Sequence, residues 1–256
     1  APPASKVGAK RRASGASNGP TRQYVCAGAA QSRCTRAVRD GDDYLITGNK
    51  LFITSGVRAD YITVLCRTGE DPHGGLTFFV VEKSMPGYTV SRSLKKTGWR
   101  ASDTAEMAFD RVRVPAANRI GAEGDAFMTL MRNFQQERLG LAVLGHASAE
   151  FCLAEAQRWA RDREAFGRPL VGFQVTRHKL ADMATKVLAA KTLNYHVASR
   201  IAAGEYLVNE VSMAKNFSAE VAISVCYEAV QIFGGMGYMR ETAAELGLPV
   251  EALEAW

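Results

Sequence analysis

The stretch GAEGDAFMTLMRNFQQERLGLAVLGHASAEFCLAEAQRWA, residues 121–160, decides the fold. Within it Phe127, Leu130, Met131, Phe134, Leu141, Leu144, Ala149, Cys152, Ala156 and Trp159 recur at spacings built from threes and fours, and no proline interrupts them before Pro169. That period predicts one helix of about ten turns, the length of a bundle helix. Downstream, FQVTRHKLADMATKV opens a second helix that runs to Ile201, and a third covers about Leu207 to Phe233 before GGMGY stops it. Short links between helices this long predict antiparallel packing. The terminal ETAAELGLPVEALEAW is too short for a fourth comparable helix.

Upstream the period changes. Between residues 37 and 118, AVRDGDDYLITG, NKLFITSG, DYITVLCRT, LTFFVVEK, YTVSRSL and AEMAFDRVRVP are short runs rich in Val, Ile, Thr, Phe and Tyr. Gly, Asp, Asn and Pro separate them, so six or so strands of an antiparallel barrel or sandwich are predicted, with DGDD, TGNK and MPG as turns. Residues 1–36 are rich in Ala, Ser, Gly and Arg and have no apolar period, which predicts a mobile basic tail. The expected class is therefore α+β and multidomain: a tail over 1–36, a β-barrel or sandwich domain over 37–118, and a helical bundle domain over 119–256.

Composition removes several functions. A hydrophobic content of 47% with 23% charged residues is ordinary for a soluble chain. No apolar run approaches the roughly 18–20 residues of a membrane span, so none is expected. The net charge of +6 is concentrated at one end: Lys6, Lys10, Arg11, Arg12, Arg22, Arg33, Arg36 and Arg39 precede the first acidic residue, Asp40. A near-neutral body without a recognition motif excludes specific nucleic-acid binding. Cys26, Cys34, Cys66, Cys152 and Cys226 form no CxxC, and His73, His146, His178 and His196 are scattered, so no metal site is expected. The odd cysteine count suits free thiols in a reducing compartment, with a Cys26–Cys34 disulfide left open. The acid-free, Arg- and Ser-containing tail has the bias of a mitochondrial transit peptide. A cytoplasmic location is expected, with the mitochondrial matrix as the alternative.

Three segments could carry chemistry. Glu137 lies three residues after Phe134 and four before Leu141, which places its carboxylate on the apolar stripe of the long helix, facing the core or a cleft. Desolvation there disfavours the charged form and suits a general base, although a stripe-edge Glu paired with an Arg is the plainer alternative. QIFGGMGY, residues 231–238, ends a helix with glycines that permit positive φ and close backbone approach. RDREAFGRPLVGFQ, residues 161–174, offers Arg161, Arg163 and Arg168 as a phosphate clamp or as cations favoured by a helix C-terminus.

In order, GNKLFITSGVRADY, KKTGWRASDTAEMAFDRVRVP with NRIGAEGDAF, NFQQERL, REAFGRPLVGFQ and AVQIFGGMGYMRE resemble the acyl-CoA dehydrogenase family over about residues 37–241. The resemblance implies FAD-dependent α,β-dehydrogenation of an acyl-CoA thioester, as in fatty-acid β-oxidation, with electrons passed to an electron-transfer flavoprotein. It implies a homodimer or homotetramer. By motif, Glu137 matches the base of the isovaleryl and long-chain members, which carry it on this helix. Gln135 and Arg138 match residues lining the acyl-CoA channel, and Ser102 matches a contact to the CoA moiety. Phe52, Ile53 and Thr54 match the segment laid against the flavin, where the family often has Trp at the first position. Arg163, Phe166 and Gln174 match the set reaching the FAD of a neighbouring subunit, and Gln231, Gly234 and Gly235 lie beside its adenylate half.

The chain departs from the family at both ends. Nothing in it corresponds to the family's N-terminal helical domain, the basic tail stands where a flavin-binding loop is expected, and residues after Glu241 differ from the usual final helix. Two further readings follow: an inactive truncated member surviving as an oligomeric interaction protein without flavin, and a flavin-dependent monooxygenase of the same fold. A base at the α-carbon favours dehydrogenation over the latter.

Overall fold

The structure is a computed structural model that describes residues 22–23 and 35–239. It forms two compact units, one taking the chain up to Lys95 and Ser102–Gly124, the other Lys96–Ala101 and the chain from Asp125.

The first unit is one eight-stranded sheet: β1 (Arg22–Gln23), β2 (Arg36–Asp40), β3 (Asp43–Thr54), β4 (Tyr61–Arg67), β5 (Leu76–Glu82), β6 (Tyr88–Ser93), β7 (Thr104–Pro115) and β8 (Arg119–Ile120). The order is β6-β7-β3-β2-β4-β5-β8, with β1 alongside β4. The six strands expected between residues 37 and 118 are present, but β1 and β2 each pair with β4 in parallel, so the sheet is mixed. The sheet curls over its own core, since Tyr44 of β3 lies 4.7 Å, centroid to centroid, from Phe79 of β5 although β2 and β4 intervene. Ile46, Ile53, Val64, Val81, Met107, Val112 and Val114 fill the space between.

One expectation needs correction. TGNK is not a turn: β3 runs through it, with a register shift between Ile46 and Gly48 that bends two 12-residue strands without ending them. Within the stretch expected as a tail, Arg22–Gln23 pair with Tyr61–Ile62 and buried Thr35 donates its hydroxyl to the Asn49 carbonyl. The rest of residues 1–34 and the segment 240–256 lie outside the described residues.

The second unit is a three-helix bundle of α1 (Ala126–Asp162), α2 (Gln174–Ala202) and α3 (Val208–Phe233). Cross-helix bonds give the directions. Lys191 reaches Glu150 and Asn194 reaches Ala142, while Lys179 reaches Glu228 and Lys186 reaches Ser224, so α2 is antiparallel to both neighbours. The side of α1 facing its neighbours is made of small residues, Ala142, Ala149, Ala156 and Ala160. At Gly145 an added Cβ would lie 3.0 Å from the Ser218 carbonyl oxygen of α3, a contact tight enough that a side chain there would push the two helices apart by a few tenths of an ångström. A buried polar knot joins the three helices: Asn194 donates to the Ala142 carbonyl (3.0 Å) and to His146 Nδ1 (2.8 Å), and Ser218 donates to Asn194 Oδ1 (3.2 Å).

The expected core stripe of α1 is correct at Leu130, Ala149 and Ala156 but wrong at its larger members, since Leu141 and Leu144 are 54% and 50% exposed. Close helix packing selects small side chains for the inside and leaves the large ones facing out. By length and composition alone α1 is also apolar enough to cross a membrane, which corrects the expectation that no stretch approaches this. Within the bundle, however, its mid-helix Glu150 pairs with Lys191 at 2.8 Å, and its alanines pack on α2 and α3.

Candidate active site

The sheet unit contributes Phe52, Ile53, Thr54 and Ser102. The register between β3 and β7 slips between Lys50 and Ile53, so one extra residue of β3 is accommodated there. Phe52 sits in this bulge at φ 61° and is 69% exposed, while Ile53 beside it is fully buried. A bulge re-aims a side chain, and a bulky residue held at positive φ is strained, which marks the position as one the fold maintains against local preference. Ser55 also has positive φ, and a Cβ at Gly56 would collide with Met107.

Asp103 holds this loop. Its carboxylate accepts from the Val57 N–H (2.7 Å) and pairs with Arg58 (3.0 Å), and its carbonyl accepts from the Ser55 N–H (2.7 Å). Thr54 pairs across the ladder with Thr104, so half-buried Ser102 and the Phe52–Thr54 segment belong to one local structure. Asp103, Ser55 and Arg58 did not emerge as candidates from the sequence. The signal was the ASDT motif itself, in which an Asp can cap a neighbouring loop as readily as Ser can bind a ligand.

The helical unit contributes the rest. Gln135 is buried and its Oε1 has no hydrogen-bond partner among the described residues. Arg138 lies over the Phe134 ring at 5.6 Å. Glu137 is solvent-exposed and accepts a hydrogen bond from Asn133 Nδ2 at 2.6 Å. Of the two placements expected, core or cleft, the core of the bundle is thereby excluded. The flank is apolar as expected, carrying half-buried Phe134 and exposed Leu141 and Leu144, but among the described residues of the helical unit nothing covers its two leucines, because the bundle buries the alanine side of α1 instead.

At the other end of α1, β9 (Glu164–Ala165) and β10 (Arg168–Pro169) form a hairpin with Phe166 and Gly167 at its tip, both at positive φ. This is the turn whose twist suits a two-residue hairpin, and Phe is a costly residue for it. Phe166 is 97% exposed. Arg168 stacks on Phe173 at 4.0 Å and so braces the hairpin, while Arg163 and Gln174 are exposed around its base. The end of α3 lies alongside, fixed by Trp159 stacked on Phe233 at 4.9 Å. Gln231 is exposed on its last turn, Gly234 turns the chain at φ 62°, and a Cβ at Gly234 or Gly235 would meet open space.

The structure thus gathers Arg163, Phe166, Gln174, Gln231, Gly234 and Gly235 at one end of the bundle and Gln135, Glu137 and Arg138 towards the other. At 1.5 Å per residue, Glu137 and Arg163 are about 39 Å apart along α1.

This two-part arrangement has counterparts. The family model for the acyl-CoA dehydrogenase middle domain matches residues 27–112, and that for the acyl-CoA dehydrogenase C-terminal domain matches residues 124–249. The chain belongs to the acyl-CoA dehydrogenase family. An acyl-CoA dehydrogenase of Bacillus subtilis is 41% identical over 217 residues, covering 84% of this chain and 57% of that protein. The structure of a probable acyl CoA dehydrogenase from Mycobacterium abscessus is 56% identical with a TM-score of 0.78, covering 81% of this chain and 55% of that one. A glutaryl-CoA dehydrogenase from Mycobacterium smegmatis, solved in complex with FADH2, is 31% identical with a TM-score of 0.72, covering 80% and 52%. The chain therefore spans little more than half the length of these acyl-CoA dehydrogenases.

Proposed function

We propose that the chain carries the middle and C-terminal parts of an FAD-dependent acyl-CoA dehydrogenase, with Glu137 removing the α-proton of an acyl-CoA thioester. The observation that carries the reading is the Glu137 carboxylate on the apolar flank of α1 between Phe134 and Leu141, a flank exposed at Leu141 and Leu144 among the described residues. A surface that apolar is built to be covered, and an acyl chain or a packed element over it would exclude water from the carboxylate.

The residues fit FAD. Phe52 presents an aromatic face from a strained bulge, Gly234 and Gly235 leave backbone open to close approach, and Gln135 Oε1 is a buried acceptor awaiting a donor. The chemistry FAD supplies when bound is acceptance of the β-hydrogen as hydride and onward transfer of electrons to an electron-transfer flavoprotein. Glu137 takes the proton, Arg138 and Gln135 orient the acyl part, and Ser102 contacts the CoA moiety. Arg163, through its planar fork, pairs with a diphosphate, beside Gln174, Gln231 and the two glycines.

Because about 39 Å of helix separates the two sets, each serves a different cofactor copy. The exposed Phe166 tip then reaches a neighbouring subunit, which supports a homodimer or homotetramer. A reducing compartment, cytoplasm or mitochondrial matrix, fits free Cys66, Cys152 and Cys226.

The test is anaerobic titration of the FAD-loaded chain with acyl-CoA thioesters, followed by bleaching of the flavin absorbance. Glu137→Gln is expected to slow bleaching by at least about 100-fold with flavin still bound. Bleaching at the parent rate would remove Glu137 as the base. Failure to take up FAD at any concentration would support the interaction-protein reading.

A further inference from the structure

Two cysteines far apart in sequence meet in the bundle. Cys152 of α1 and Cys226 of α3 are separated by 74 residues, yet their Sγ atoms lie 3.6 Å apart. Two turns earlier, Gly145 brings the same helices together against Ser218, and the small residues that follow on α1 keep them close. A disulfide brings its sulfurs to about 2.05 Å, so this pair has to close by about 1.5 Å, which rotation about the two Cα–Cβ bonds together with a small shift of the helices supplies. Both thiols are half-buried, unlike Cys66, which the sheet core encloses completely.

At 3.6 Å either thiol can donate to the sulfur of the other. With Cys226 as the acceptor, the contact holds its thiol below the ordinary value against the burial that opposes it, while the same contact together with burial raises Cys152. A lowered thiol beside a protonated one is the arrangement in which one sulfur attacks and the other resolves.

We propose that Cys152 and Cys226 form a redox modification site: a dithiol that a hydroperoxide closes to a disulfide tying α1 to α3, and that a thiol reductant reopens. In the first step the Cys226 thiolate attacks a peroxide oxygen, the O–O bond breaks, and an alcohol leaves with a proton from solvent, making Cys226 a sulfenic acid. In the second, Cys152 gives up its proton and its sulfur attacks that of Cys226. The S–O bond breaks, hydroxide leaves, and the proton completes a water molecule. The two thiols lose two electrons and two protons, and the hydroperoxide becomes alcohol and water. The site is independent of the proposed dehydrogenation, since Cys152 is about 22 Å along the helix from Glu137.

The test treats the purified, reduced full chain with near-stoichiometric hydrogen peroxide, alkylates what remains, and maps peptides by mass. The expected product is a Cys152–Cys226 cross-linked peptide pair lighter by two hydrogens, formed while Cys66 stays unmodified and reversed by dithiothreitol. Cys152→Ser should stop Cys226 at a sulfenic acid that dimedone captures. Cys226→Ser should slow oxidation of Cys152 by about tenfold or more. The inference is overturned if both cysteines remain alkylatable after peroxide, or if Cys226 goes to adducts or intermolecular pairs while Cys152 stays free.

Discussion

Replacing Asn194 by alanine tests whether the buried polar knot holds the three helices together. Asn194 is 1% exposed and serves α1 and α3 at once, through the Ala142 carbonyl, His146 Nδ1 and Ser218. After the change the Ala142 carbonyl can keep a helical partner, but His146 Nδ1 and the Ser218 hydroxyl lose theirs where water does not reach. Each orphaned group costs about 1–3 kcal/mol, and the void left by the amide adds about 1 kcal/mol. Ser218 recovers part of this by bonding back to a carbonyl one turn earlier. The net expectation is a loss of about 3 kcal/mol. In urea, with a slope of about 2 kcal/mol/M, the midpoint followed by helical circular dichroism should fall by about 1.5 M. Adding Ser218→Ala removes one orphan, so the double variant should be less damaged than the sum of the singles by about 1 kcal/mol. A loss below about 0.5 kcal/mol for Asn194→Ala, or strict additivity, would refute the idea that the knot is a coupled unit.

Phe52→Gly relieves the positive-φ strain of an exposed residue, so urea stability should stay within about 1 kcal/mol of the parent, while FAD affinity measured by flavin fluorescence falls about tenfold. Unchanged affinity would separate the bulge from cofactor binding. The Glu150–Lys191 pair gives a pH dependence: the hydrogen bond from Lys191 holds the Glu150 carboxyl below its ordinary value, and the same bond holds Lys191 above its own. The stabilisation is present between the two titrations. It is lost as pH falls through the folded Glu150 range, below about 4.3, and as pH rises through that of Lys191, above about 10.4. Glu150→Gln should flatten the acid limb of a melting-temperature profile, and an unaltered limb would show that the pair contributes nothing measurable.

Much of the fold was legible because it rests on periodicity. The first two runs before residue 118 became β2 and β3, divided at Gly41–Asp42 instead of at TGNK, the other four became β4–β7, and the threes and fours after residue 125 became α1–α3 close to their expected ends. GGMGY was legible for a backbone reason, and Gly234 does take the positive φ that ends α3. TGNK was misread because a bulge and a turn use the same residues. Only the long-range pairing of β3 with β7 decides which one forms.

The site was legible residue by residue but not as geometry. The sequence alone determined that Glu137 shares a helix flank with Phe134 and Leu141, since 3.6 residues per turn admits no other placement. Whether that flank faces inward was decided by the packing of α2 and α3 on the side of α1 that carries Ala142, Gly145 and Ala149, which leaves the Glu137 side uncovered among the described residues. The contact between Cys152 and Cys226, the bulge that turns Phe52 outward and the Asp103 anchor likewise belong to the tertiary structure. Local chain stereochemistry sets which residues share a face, whereas the partner of each face depends on backbones distant in sequence and on how closely their side chains allow them to approach.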